Sequence, residues 1–125
     1  MTKTNELKKA LVVLLKEVLN NVYFETAEDD ALYPYLVYDL KELFNEDGKT
    51  VYELECNLID NSKSKTSVDE LADLLQKNLH NYYFINQYIQ FTIYKLNKYT
   101  IKEKNKKITR RRLTFEIQLH ELIGG

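Results

Sequence analysis

Reactive side chains are sparse in this sequence, and their spacing limits the chemistry open to it. There is one cysteine, Cys56, and there are two histidines, His80 and His120. A zinc centre needs three or four His, Cys or carboxylate ligands converging on one point. The two histidines fall on separate predicted elements, with no Cys, Asp or Glu paired to them at ligand spacing, so no metal and no cofactor are expected. A Gly-rich phosphate loop and a nucleophile elbow are both absent. Cys56 sits in the alternating series Tyr52, Leu54, Cys56, Leu58, the inward face of a strand. That position describes a buried, inert thiol rather than a nucleophile, which needs exposure and a depressed pKa. Glu53 and Glu55 share the other face and form a possible carboxylate pair, but a solvated strand face accounts for them more simply. The sequence offers no catalytic residues, and an enzyme is not expected.

Charge is the stronger signal. The formal net charge of −1 conceals an asymmetry: residues 1–60 carry 13 acidic and 6 basic side chains, residues 61–125 carry 6 acidic and 12 basic ones. The basic excess concentrates between Lys95 and Arg112, where Lys95, Lys98, Lys102, Lys104, Lys106, Lys107, Arg110, Arg111 and Arg112 meet one acid, Glu103. Tyr94 and Tyr99 are interleaved with them. Basic residues with aromatics can follow a nucleic-acid backbone and stack bases. A solvated hairpin tip whose lysines discourage edge pairing has the same composition. A third possibility is charge pairing with an acidic patch on a neighbouring copy, and Glu28, Asp29 and Asp30 supply such a patch. A head-to-tail interface of that kind makes a ring where its rotation closes.

These residues need elements to hold them. Leu7, Leu11, Leu14, Leu15 and Val18 predict a helix over about Asn5–Leu19, ended by Asn20 and Asn21. Val22–Glu25 is a short strand candidate, and Thr26–Asp30 a polar acidic loop. Tyr33–Leu40 and the alternating Val51–Asp60 make a hairpin across a turn at Asn45–Lys49, with Gly48 at the left-handed position. Asn57 falls on the outward face together with Glu53 and Glu55. Ser67-Val68-Asp69-Glu70 has the form of a capping box, opening a helix to about Asn81. Ile89–Ile101, with Phe91, Ile93 and Lys95 on one face, and Thr109–Leu122 form a second, longer hairpin. Arg111 joins the inward series Leu113, Phe115, Ile117, Leu119, which predicts a hairpin projecting beyond the core with its arginine heads wet. Gly124-Gly125 reads as a frayed end.

The expected architecture is therefore α+β: a single domain over residues 1–125, in the order α-β-β-β-α-β-β. It has one mostly antiparallel sheet of about five strands, two helices on one face, and a basic hairpin at about 95–112. A lone cysteine, no signal-peptide pattern and no apolar run of membrane-spanning length predict a soluble protein of a reducing interior.

Three segments, taken in order, resemble one family. They are Val22-Tyr23-Phe24-Glu25-Thr26-Ala27-Glu28-Asp29-Asp30-Ala31-Leu32-Tyr33-Pro34-Tyr35-Leu36-Val37-Tyr38, then Glu53-Leu54-Glu55-Cys56-Asn57-Leu58-Ile59-Asp60, then Thr66-Ser67-Val68-Asp69-Glu70-Leu71-Ala72-Asp73. Together they resemble the tail-completion, or tail-terminator, proteins of long-tailed bacteriophages and prophages, over about residues 5–122. The resemblance implies a non-enzymatic subunit of the virion neck, made in the bacterial host cytoplasm. Such a subunit forms a ring in the assembled virion, usually a hexamer, that stops tail-tube growth and joins the tail to the head connector, and it can be monomeric in isolation. The implied partners are other copies of the chain, the tail tube protein and the connector or stopper protein, with DNA passing through the ring unread and no membrane. The matching Tyr33-Pro34-Tyr35 strand and Asp69-Glu70 helix start look structural. Interface residues are expected at Lys95, Lys98, Lys102, Lys106, Lys107, Arg110, Arg111 and Arg112 on one side and Glu28, Asp29 and Asp30 on the other. The residues alone also fit a small nucleic-acid-binding or regulatory module using the 95–112 hairpin.

Overall fold

The computed structural model describes residues 2–122, so the Gly124-Gly125 end lies outside the described residues. Helix α1 spans Lys3–Lys16 and is opened by Thr2, whose hydroxyl oxygen accepts the Asn5 N–H at 3.1 Å. That contact satisfies one of the first-turn donors that a helix leaves without a partner. Leu7, Leu11, Leu14 and Leu15 recur at helical spacing and are all buried.

Strand β1, Val22–Phe24, is followed by a loop and a cis Tyr33–Pro34 bond. The loop is tied back by the Asn21 amide, which donates to the carbonyl of Leu32 at 3.0 Å. Strand β2 (Tyr35–Glu46) and strand β3 (Lys49–Asp60) meet across Asp47 and Gly48, at φ 49° and 80°. Two consecutive left-handed residues make the two-residue hairpin turn whose twist matches that of the strands. Gly48 meets the requirement by freedom of conformation rather than by size, because a Cβ there would touch nothing within 4 Å.

Helix α2 is Thr66–Leu79, and strands β4 (Tyr83–Ile85), β5 (Ile89–Ile101) and β6 (Thr109–Glu121) follow. The sheet order is β1-β2-β3-β6-β5-β4. Both helices cover the same face, where one core joins their leucines to Tyr38, Tyr52, Leu54, Phe91, Leu113, Phe115 and Ile117.

Four expectations change. The sheet has six strands and is mixed, because β1 pairs parallel to β2 and β4 is an additional strand. A three-residue strand is too short for alternation to reveal it, and pattern says nothing of direction. Strand β2 runs on to Glu46 and β3 starts at Lys49, so Asn45, Glu46 and Lys49, read as part of the turn, belong to strands and only Asp47 and Gly48 turn. The capping box does not form: α2 starts at Thr66, its N-cap Lys65 makes no side-chain cap bond, and Ser67 is already helical. A capping side chain belongs to a residue outside the helix; here Ser64 Oγ accepts the Thr66 N–H at 3.3 Å instead. Finally, Lys95 is exposed, and a bulge between Lys95 and Asn97 reverses which side chains beyond it face the helices. A matching bulge interrupts β2 between Glu42 and Phe44.

Candidate functional site

Neither histidine approaches Cys56 in the sheet register or in the hydrogen bonding. Cys56 is fully buried in the core between Tyr38 and Leu113. Burial first, and the Glu55 charge second, push its thiol pKa far above the ordinary range, so the reactive thiolate is suppressed. His80 ends α2 and its Nδ1 accepts the backbone N–H of Lys95 at 3.1 Å. His120 lies across the sheet, level with Lys49 and Gln90. Among the described residues no three His, Cys, Asp or Glu side chains come together in metal-binding fashion.

The three arginines are employed within their own chain. Arg111 is only 8% exposed, and its Nε donates to Asp69 Oδ1 on the first turn of α2 at 2.8 Å. Its head is therefore held under the helix rather than left wet in solvent, because α2 begins beside this end of β6. Arg112 reaches Glu55 at 3.4 Å and donates to Asn57 Oδ1 at 3.2 Å on the opposite face. Arg110 Nε lies 3.2 Å from Glu103 in charge contact, though without the alignment of a hydrogen bond. Lys98 Nζ donates to Asp73 of α2 at 2.8 Å.

Most of the other expected site residues line open recesses. Glu28 and Asp29 belong to the loop after β1, which folds over the face away from the helices. With Glu25, Tyr35, Asp39 and Arg110 they line an open recess of about 430 Å³. Burial, with Glu55 and Glu25 nearby, raises the Asp39 pKa, and burial followed by Tyr33 raises that of Tyr35. Both shifts mark a place where added negative charge is unwelcome. Asp30 is exposed at the turn where the Ala31 N–H donates to the Glu28 carbonyl at 3.0 Å. On the other side Lys102 and Lys106 line a recess with Lys65 and Arg111, and Lys106 and Lys107 line a second one with Lys63 and Lys65. Lys63 and Lys65 were not among the expected site residues. Their segment reads as a polar loop, and only the fold carries it to the tip of the β5–β6 hairpin.

No protein-family model matches the sequence, and comparison with curated proteins finds no match. Among solved structures the chain is similar to a chain of a structure titled "Virion of native gene transfer agent (GTA) particle". The match covers 86% of this chain and 84% of that one, with a TM-score of 0.65 and 14% sequence identity. At that identity the likeness is one of fold: an α+β architecture shared over nearly the whole length of both chains.

Proposed function

We propose that this chain is a structural subunit of a phage-type virion, acting at the neck as a ring that ends the tail tube and joins it to the head connector. The observation that carries the reading is the shared fold with a chain of a gene transfer agent virion over 86% of the length. The ordered sequence resemblance to tail-completion proteins points the same way. The charge split supports assembly from copies: the acidic Glu28 and Asp29 line a recess on the face away from the helices, whereas Lys102 and Lys106 of the hairpin tip line one with Lys65 and the inward Arg111. Because Arg110, Arg111 and Arg112 already have partners within the chain, intersubunit pairing falls chiefly to the lysines and the acidic loop. On this reading the chain has no catalytic role. The test is to delete the gene in the strain that makes the particles and to image the products. Unjoined heads and tails of irregular length are the expected result; intact particles would refute the neck role.

One observation favours a second reading. Lys63, Lys65, Lys102, Lys106 and Lys107 gather on one surface, as a nucleic-acid contact requires. Binding of that kind weakens steeply with salt, because counterions displaced from the phosphates drive it. The neck reading expects only weak, non-specific binding by the isolated subunit. A micromolar or tighter complex with DNA at physiological salt would favour the second reading.

A further inference from the structure

The outline of the sheet has two notches. β1 covers β2 only at Leu36–Tyr38, so the outer edge of β2 is bare beyond its bulge, at Phe44, Asn45 and Glu46. β4 covers β5 only at Gln90–Thr92, so the outer edge of β5 is bare beyond its own bulge, from Asn97 to Ile101. The notches lie at opposite ends of the strands and on opposite sides of the sheet. Each faces outward in the direction where the other side carries a short protruding strand.

The register makes the fit residue-specific. One row across the sheet runs Tyr23, Val37, Asn57, Arg112, Tyr99. Another runs Phe44, Val51, Gln118, Thr92, Tyr83. Each row ends on both sides in an aromatic ring. Tyr99, Phe44 and Tyr83 are 45%, 50% and 55% exposed. If copies stand side by side, β1 of one fills the notch beside β5 of the next, antiparallel, and sets Tyr23 against Tyr99. At the other end β4 fills the notch beside β2, parallel, and sets Tyr83 against Phe44. The three residues of β4 match the three residues of β2 beyond the bulge.

We propose that copies of this chain join edge to edge, head to tail, through these two interlocking corners. The inference rests on the ring reading above and specifies its interface. Charge selects the head-to-tail arrangement. The chain after β1 carries Glu25, Glu28, Asp29 and Asp30, whereas the bare part of β5 is flanked by Lys95 and Lys102. A two-fold pairing of β5 with β5 would lay one basic segment along another, without the acidic loop that the head-to-tail contact brings to it. A slip of one residue would turn the aromatic rows to the wrong face, so the register is defined.

The test uses the full chain with Y23C and Y99C together. Side chains directly opposite across a strand pair have Cβ atoms about 5 Å apart, close enough to be bridged after small movement. The native Cys56 is buried and does not compete. Oxidation is expected to give a ladder of covalent multimers that reductant collapses. Each single variant gives none, and the two singles mixed give dimers only. F44C with Y83C is expected to repeat the pattern at the other corner, should Y23C weaken the fold. Disulfide dimers of Y99C alone would overturn the proposal in favour of a two-fold interface. Multimers of the unmodified chain in sedimentation, with neither double variant cross-linking, would overturn this interface and leave the ring standing. A chain that stays monomeric at millimolar concentration and does not cross-link would overturn this interface too, and the ring is then decided by the particles of the deletion strain.

Discussion

The two faces of the sheet are built on different principles. Under the helices lies a continuous apolar layer from Leu54 and Cys56 to Phe115 and Ile117, all fully buried. The opposite face has no helix, yet Val37, Val51, Asn57 and Ile59 are nearly buried there as well. Val37 and Ile59 lie under the acidic loop, Asn57 lies under Arg112, which is held by Glu55, and Val51 sits between Phe44 and Gln118. The first face is shielded by packing and the second by a lattice of ion pairs. Packing tolerates no deletion, whereas a partly wet lattice can rearrange.

Four experiments can break or sharpen that contrast. Phe115→Ala on the helix face should cost about 3–5 kcal/mol, the usual range for emptying a buried ring site, and lower the melting temperature by well over ten degrees in a thermal scan. Arg111→Ser should cost about 1–2 kcal/mol, since it removes a largely buried stem and a charge-assisted bond to α2. Arg112→Ser, a change of the same chemistry on the other face, should cost under about 1 kcal/mol, because that pair is partly exposed and screened. Equal losses for the two arginines in urea titrations would erase the distinction between the faces. The smallest effect concerns Asp39. Its folded pKa is raised above the unfolded value, so the folded state holds the proton more tightly in the window just above the ordinary carboxylate pKa. Stability should therefore fall as pH rises through that window. Asp39→Asn should abolish this slope and stabilise the protein by less than about 0.5 kcal/mol at pH 7; a slope unchanged by the substitution would place its origin elsewhere.

What the sequence conveys follows the same division. The helix face was legible, because alternation in β3 and β6 and the leucine spacing of α1 are direct consequences of one-sided burial. The burial of Cys56 came with it, and slow thiol labelling of the native chain is the corresponding expectation. The other face was not legible. Asn57 alternates with Leu58 as an outward residue should, but it is 7% exposed under Arg112 and Glu55. Its cover comes from side chains long enough to lie flat, a property of three-dimensional neighbours and not of period. The same holds for β4, whose three residues have no pattern of their own, and for Lys63 and Lys65, which reach the basic surface only through the placement of α2. Of the expected site, the acidic loop and the basic hairpin could be read as charge, but not that the arginines would be consumed internally.

The bulges at Leu43 and Leu96 have a consequence for the newly made chain. A bare strand edge is a template on which any extended polypeptide can grow, and a long one invites amyloid-like stacking. Each bulge breaks its edge and leaves only a few residues in regular extended form beyond it. Such short stubs give a stray peptide little purchase. Breaking both edges in this way lowers the tendency of the chain to seed fibrils at high concentration.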